Sequence, residues 1–216
     1  HKFSSNILFY LMKRAKTSKA WMREHVNDFF IKQAKKEGYR SRAAYKLLEI
    51  TEKDQILKPG LTVVDLGAAP GSWSQVASHK IGRGGKVIAV DILEMVPLPG
   101  VEFIQSDFRE ECAIVELKKH LGDDQLDLVI SDMSPNMSGI VISDQARSMY
   151  LAELALAFSM EQLNYGGNFL VKVFQGRDFD QFLFDMRAGF KNVTIRKPKA
   201  SRDRSNELYL LGLGKK

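Results

Sequence analysis

Residues 63–73 read VVDLGAAPGSW, and this stretch decides the fold. A run of strand-forming residues stops on Asp65, and Gly67 and Gly71 follow with Pro70 between them. Glycines let backbone approach a ligand closely, and the chain then enters a helix whose first amides lack partners within it. The spacing is G-x-x-x-G rather than the G-x-G-x-x-G of dinucleotide sites, and no Lys-Ser/Thr follows to grip a triphosphate. Pro70 stiffens the turn and adds no amide donor. Such a loop suits an amino acid joined to a nucleoside better than a pyrophosphate.

Outward from this stretch, apolar strands alternate with helices. The pattern predicts strands over 62–66, 86–90, 101–105, 126–131, 168–174, 192–196 and 207–212, and helices over 74–81, 111–121, 144–163 and 178–190. Upstream, helices are predicted over 20–36, with Trp21, Val26, Phe29 or Phe30 and Ala34 on one face, and over 42–56. Continuous apolar strands between helices imply an α/β, Rossmann-like fold: a seven-stranded, mostly parallel sheet with helices on both faces. Two final strands joined by a short basic loop predict an antiparallel C-terminal hairpin. Residues 1–17 are set apart as an N-terminal extension with a non-native or replaced start, because the chain opens on His1. Residues 18–216 are expected to form one domain, with a basic helical part over 18–60 and the sheet core over 61–216.

In sheets of this kind ligands bind outside the carboxyl ends of the strands. Strand one ends at Asp65. Strand two ends at Asp91, where a carboxylate accepts from the two hydroxyls of a ribose. Strand three is followed by Asp107, placed to accept from the exocyclic amine of adenine. Trp73, with Ile92 or Phe108, is a candidate pair to sandwich the purine. Each Asp alone reads equally well as a cap or turn residue. Three in consecutive strand order describe an adenosine bearing an amino-acid tail, that is, S-adenosylmethionine.

The loop after strand four is SDMSPNMSG, 131–139, and strand five carries Lys172 within NFLVKVF. A lysine among Leu170, Val171, Val173 and Phe174 is costly unless it pairs or takes part in chemistry; a snorkelling edge lysine is the plainer alternative. Asp132 and Lys172, on neighbouring strand ends, are expected to meet. Lys46 on the second helix adds a cation, and Glu207 opens the last strand.

Charge is segregated along the chain. Residues 1–60 carry 14 Lys and Arg against 6 Asp and Glu, 61–186 carry 9 against 18, and 187–216 carry 9 against 2. Basic ends meeting in the fold would make a surface that draws a polyanion by counterion release, against the plainer reading of solvated charge. Candidate contacts are Lys32, Lys35, Lys36, Arg40 and Arg42 on one side, and Arg196, Lys197, Lys199, Arg202 and Arg204 on the other. The single cysteine, Cys112, allows no internal disulfide, and the four histidines have no metal-site spacing, so no metal is expected. No apolar run nears the roughly 20 residues of a membrane span. A reducing, cytoplasmic location and no membrane partner are expected.

Six segments together are similar to the FtsJ/RrmJ family of ribosomal RNA ribose 2′-O-methyltransferases: SRAAYKLLEI (41–50), VVDLGAAPGSWSQ (63–75), SDF (106–108), SDMSPNMSG (131–139), VKVFQG (171–176) and RKPKASRDRSNELY (196–209). They span about residues 18–214. The resemblance implies the methyltransferase fold, a catalytic set of Lys46, Asp132, Lys172 and Glu207, and S-adenosylmethionine contacts at Gly71, Trp73, Asp91, Asp107 and Asp132. It also implies a monomer acting on the large ribosomal subunit, at a uridine in the aminoacyl-site loop of its RNA. Ser134 stands where the bacterial family pattern has Ala. Base-nitrogen methylation is disfavoured, because the loop after strand four lacks the Pro-Pro-aromatic sequence that stacks a flipped base. A non-catalytic RNA-binding factor and a nicotinamide dehydrogenase are the other readings, weakened by the intact tetrad and by the glycine spacing.

Overall fold

The computed structural model describes residues 29–201 and 206–216. The extension 1–17, Trp21, Val26, Arg202 and Arg204 lie outside the described residues. Helical residues 29–37 (α1) and α2 (Ala44–Asp54) precede β1 (Thr62–Leu66), α3 (Ser72–Ile81), β2 (Lys86–Asp91), β3 (Val101–Gln105) and α4 (Glu111–Leu121). There follow β4 (Leu126–Ser131), α5 (Val141–Gln162), β5 (Leu163–Phe174), α6 (Phe179–Gly189), β6 (Phe190–Arg196) and β7 (Glu207–Lys215).

One seven-stranded sheet runs in the order β3-β2-β1-β4-β5-β7-β6. Pairs among β1 to β5 are parallel, and β7 alone runs antiparallel to its neighbours β5 and β6. The expected C-terminal hairpin is present, with one topological addition: β7 inserts between β5 and β6. Reversal of β7 brings its first residues to the carboxyl edge of β5. Glu207 lies opposite Phe174, and Tyr209 opposite Lys172.

Side-chain alternation along β1 builds both faces. Val64 and Leu66 join Phe158, Phe169 and Phe182 on the face covered by α4, α5 and α6. Val63 points the other way, into Leu47 and Ile50 of α2 and Trp73 and Val76 of α3. Each fully buried aliphatic side chain contributes roughly 1.5–3 kcal/mol.

Three of the boundaries that differ from the periodicity reading have a local reason. α3 starts at Ser72, two residues early, because Gly71 takes φ 106° and turns the chain straight into the helix. α5 starts at Val141 rather than 144: Asp144 faces back to accept from the amides of Ser138 at 2.8 Å and Gly139 at 3.0 Å, so it fastens the preceding loop instead of opening the helix. β5 begins at Leu163, which pairs with Leu126 before a register shift, so two glycines that read as a turn lie within the strand. Among the described residues no helix is long and apolar enough to cross a membrane.

Candidate active site

The glycine loop after β1 leans on the loop after β4. A Cβ at Gly67 would fall 2.8 Å from the Met133 Cα, and Gly67 has φ +75°, so only glycine fits this approach without strain. Gly71 backs onto Arg40, whose guanidinium donates to the carbonyls of Pro70 at 2.8 Å and Pro97 at 3.0 Å. Arg40, expected on an RNA surface, is thus committed to stapling the glycine loop.

Beside this loop a cleft of about 380 Å³ opens at the carboxyl ends of β1, β2 and β4, with Gly67, Asp91, Asp107 and Asp132 in its lining. Asp91 accepts from the amides of Ala69 at 2.9 Å and Leu93 at 2.8 Å, which holds its carboxylate at the cleft wall. Asp107 is gripped by Arg109, through Nε at 2.9 Å and a terminal nitrogen at 2.5 Å. That side-chain bond draws the Asp107 carboxyl below its ordinary range. A larger groove of about 590 Å³ runs between α3 and the 98–101 segment, but it holds none of these strand-end carboxylates.

The aromatic expectations divide. Ile92 is half exposed on the cleft wall, where a ring would lie. Trp73 has its indole in the core: it is 3% exposed, donates Nε1 to the Ala43 carbonyl at 2.9 Å and packs 5.7 Å from the Tyr209 ring. Its side chain does not line the cleft, so the sandwich reading of Trp73 is corrected: it packs α3 against α2 and β7. Phe108 touches the cleft from a buried position, its ring edge-on to Phe158 at 5.6 Å. Tyr150, half exposed on α5, is the aromatic that sequence reading missed on this wall. Its signal was the helical spacing Arg147, Tyr150, Leu151.

Lys46, Asp132, Lys172 and Glu207 come from α2, the β4 end, β5 and β7, and they converge. Lys46 Nζ lies 2.8 Å from Glu207 Oε1 and donates to the Tyr209 hydroxyl at 3.0 Å. That hydroxyl donates to Asp132 Oδ1 at 2.9 Å, and Asp132 Oδ1 lies 3.1 Å from Lys172 Nζ. Lys172 also donates to the Asp132 carbonyl at 2.8 Å and to Ser134 Oγ. Lys46, Lys172 and Glu207 are each exposed by 9% or less, so these charges interact with little screening. Tyr209 joins the two ion pairs, and sequence reading passed over it. The available signal was its place two residues after Glu207, on the same strand face.

The environment tunes three acids here. Burial alone would raise Asp132, but the ammoniums of Lys172 and Lys46 and the Tyr209 hydroxyl outweigh it, so the carboxyl stays below its usual range. Burial, then the charges of Asp132 and Glu207, push the Tyr209 hydroxyl well above its ordinary value, so it remains a donor. Asp65 lies fully buried beneath the glycine loop. Burial carries it to about 7 against the opposing Ser74 hydroxyl bond at 2.6 Å, with Asp132 and Asp91 adding to the rise. Among the described residues its second oxygen, Oδ1, has no hydrogen-bond partner.

The predicted basic surface is partly used internally. Arg196 forms a two-point ion pair with Asp54, through Nε at 2.8 Å and a terminal nitrogen at 2.5 Å. Lys197 donates to the Glu207 carbonyl at 2.5 Å, while Lys35 and Lys36 are exposed on α1. Among the described residues no group of three or more His, Cys, Asp or Glu could hold a metal ion.

The profile of the FtsJ-like methyltransferases matches residues 39–215. A Nitrosospira multiformis protein named ribosomal RNA large subunit methyltransferase E is 67% identical over 95% of this chain and 100% of its own length. A Methylobacillus flagellatus protein of the same name is 64% identical over 94% of this chain and 98% of its own. Among solved structures, one described as a ribosomal RNA methyltransferase from Plasmodium falciparum superposes with a TM-score of 0.72 at 31% identity, covering 82% of this chain and 98% of that one.

Proposed function

The chain belongs to the FtsJ-like methyltransferase family, and we propose that it transfers a methyl group from S-adenosylmethionine to a ribose 2′-hydroxyl of large-subunit ribosomal RNA. The target would be a uridine of the aminoacyl-site loop, and the assembled large subunit the substrate, met by a monomer of this chain in the cytoplasm. The observation that carries the reading is the chain Glu207–Lys46–Tyr209–Asp132–Lys172 beside a carboxylate-lined cleft. The relatives' names supply the substrate.

The cleft residues suit the methyl donor. Carboxylates at three strand ends complement a cationic ligand rich in hydroxyls and amines, and bare Gly67 narrows the wall between the loops of β1 and β4. Asp91 would take the ribose hydroxyls, and Asp107 the adenine amine once Arg109 yields it. Gly71 and Trp73 would contribute backbone, and Asp132 would face the amino-acid end. The donor supplies a methyl group on a sulfonium, already activated for transfer.

The chain's own residues then position the acceptor. Lys172 Nζ has three acceptors around it, which match the three donors of an ammonium. Lys172 would exchange one of these bonds for the incoming 2′-oxygen and so hold its lone pair in line. Asp132 fixes Lys172 and neutralises it. Lys46 and Glu207, tied to Asp132 through Tyr209, would set the ribose. As the 2′-oxygen bonds the methyl carbon, that carbon's bond to sulfur breaks, the electron pair staying on sulfur as a neutral thioether, and the hydroxyl proton leaves to water. Well-oriented reactants gain roughly 7–11 kcal/mol by such positioning, so placement accounts for much of the rate.

Labelled methyl transfer to purified, unmethylated large subunits tests this. The expected product resists alkaline cleavage at one phosphodiester, since a methylated 2′-oxygen cannot attack it. A product cleaved normally at every position would instead mean base methylation. Lys172→Ala is expected to lower transfer at least about 100-fold while the donor still binds; wild-type-like turnover in it would remove Lys172 from the mechanism.

A further inference from the structure

A second, smaller cavity lies just beyond the catalytic lysine. Phe174, two residues past Lys172 on β5 and so about 7 Å further along the strand, forms part of its wall. The start of α5, through Ile142 and Gln145, and the turn after β5, through Gly176, Arg177 and the acidic Asp178, contribute further lining. Its volume is about 140 Å³. An apolar cavity of about 150 Å³ takes one benzene ring, so this one takes a single six-membered ring and is overfilled by a purine.

The lining has the chemistry of a base-reading site. Ile142 is 77% exposed, and Ile140 and Val141 beside it are exposed too, so an apolar lip borders the cavity. The half-buried Gln145 carboxamide lies against the bare Cα of Gly176, where a Cβ would fall 3.0 Å from Oε1. No hydrogen bond to any described residue engages that carboxamide. It therefore presents one donor and one acceptor to whatever enters. Arg177, exposed at the rim, adds donors only and a flat guanidinium face.

We infer that this cavity is a nucleobase pocket for an unstacked pyrimidine of the RNA strand whose ribose lies at Lys172. The inference rests on the ribose-methylating reading above and names the base chemistry that goes with it. Proteins that read RNA splay single-stranded bases onto side chains and hydrogen-bond their edges. Uracil offers acceptor, donor, acceptor along its imide edge: Gln145 meets a carbonyl and the N3–H, and Arg177 meets the second carbonyl. Cytosine offers donor, acceptor, acceptor on the same edge; the Gln145 carboxamide turned over meets its amine and N3, so the site takes either pyrimidine. Phe174 lies opposite Glu207 and two residues past Lys172, so a strand whose ribose sits at Lys172 would run beside this opening, which makes RNA the proposed occupant.

Two variants test the pocket, Gln145→Ala and Gly176→Ala; the latter pushes the carboxamide aside at a glycine that does not need positive φ. With unmethylated large subunits and labelled donor, each is expected to raise KM for subunits about tenfold, as loss of a base-edge contact does. The maximal rate should stay within about threefold, and donor affinity and melting temperature should not change. KM within about twofold of wild type in both variants overturns the pocket, as does a KM rise matched by equal losses of donor affinity and melting temperature. Binding of single-stranded oligouridylate and oligoadenylate, followed by fluorescence anisotropy, gives a readout independent of methyl transfer. The wild-type chain should prefer oligouridylate and Gln145→Ala should lose that preference; equal affinity in the wild type overturns the pocket. Failure of wild-type transfer with the uridylate preference intact would count against the proposed reaction and not against the pocket.

Discussion

The Tyr209 hydroxyl donates to Asp132 Oδ1 at 2.9 Å while accepting from Lys46 Nζ at 3.0 Å. One phenol therefore couples the Lys46–Glu207 and Asp132–Lys172 ion pairs. Tyr209→Phe keeps the ring and its packing against Trp73 but removes the link. Leaving two buried charges one bond short is expected to cost about 1–3 kcal/mol of stability. Methyl transfer should fall roughly tenfold or more, with donor affinity little changed. Thermal melting and single-turnover rates check both; an unaltered rate would show that the coupling is structural only.

Asp65 gives stability a pH dependence of unusual sign. Its folded value of about 7 lies above the roughly 3.9 of an unfolded Asp, so between these the native state holds a proton that the unfolded state has lost. Its contribution is complete below about pH 4, declines as pH rises and is gone above about 7, a loss on the order of a few kcal/mol. Asp65→Asn keeps an acceptor for Ser74 and removes the titration. It should raise the melting temperature at pH 8 and change it far less at pH 5; equal shifts at both would contradict the account.

Gly67→Ala forces a Cβ to within 2.8 Å of Met133 backbone, at positive φ. The loops after β1 and β4 must part, at a cost of about 1–3 kcal/mol. Donor affinity should fall with stability, because the same loops form the cleft. Calorimetric titration with the methyl donor would show it.

Lys35 and Lys36 lie exposed on α1, and phosphate contacts position RNA without reading its sequence. Replacing either by Gln should weaken binding to large subunits and reduce the slope of log affinity against log salt by about 1. Donor affinity should not move. A slope unchanged in the double variant would place the RNA elsewhere.

Much of this was legible from local pattern. Strand periodicity placed Asp91, Asp107 and Asp132 at one edge of one sheet, because parallel strands joined by helices must present their carboxyl ends together. The G-x-x-x-G loop was expected to let backbone approach a ligand; at Gly67 the close approach is to Met133 in the loop after β4. A lysine amid apolar neighbours implied a buried partner, and Asp132 is that partner.

Other features escaped the strand-end reading. Trp73 beside the glycine loop looked like a ligand wall, yet helix phase turned it into the core. Arg109 covers Asp107 through a contact that depends on the turn after β3.

Sequence by itself determined the sheet, the carboxyl edge at which its loops gather and the identities of the charged residues there, since each follows from short-range periodicity and the cost of burying charge. Only tertiary structure decided that Tyr209 stands between Lys46 and Asp132. That contact joins residues 163 positions apart. It exists because β7 runs backwards into the gap between β5 and β6, a register set by whole-sheet pairing and by nothing within a few residues of Tyr209.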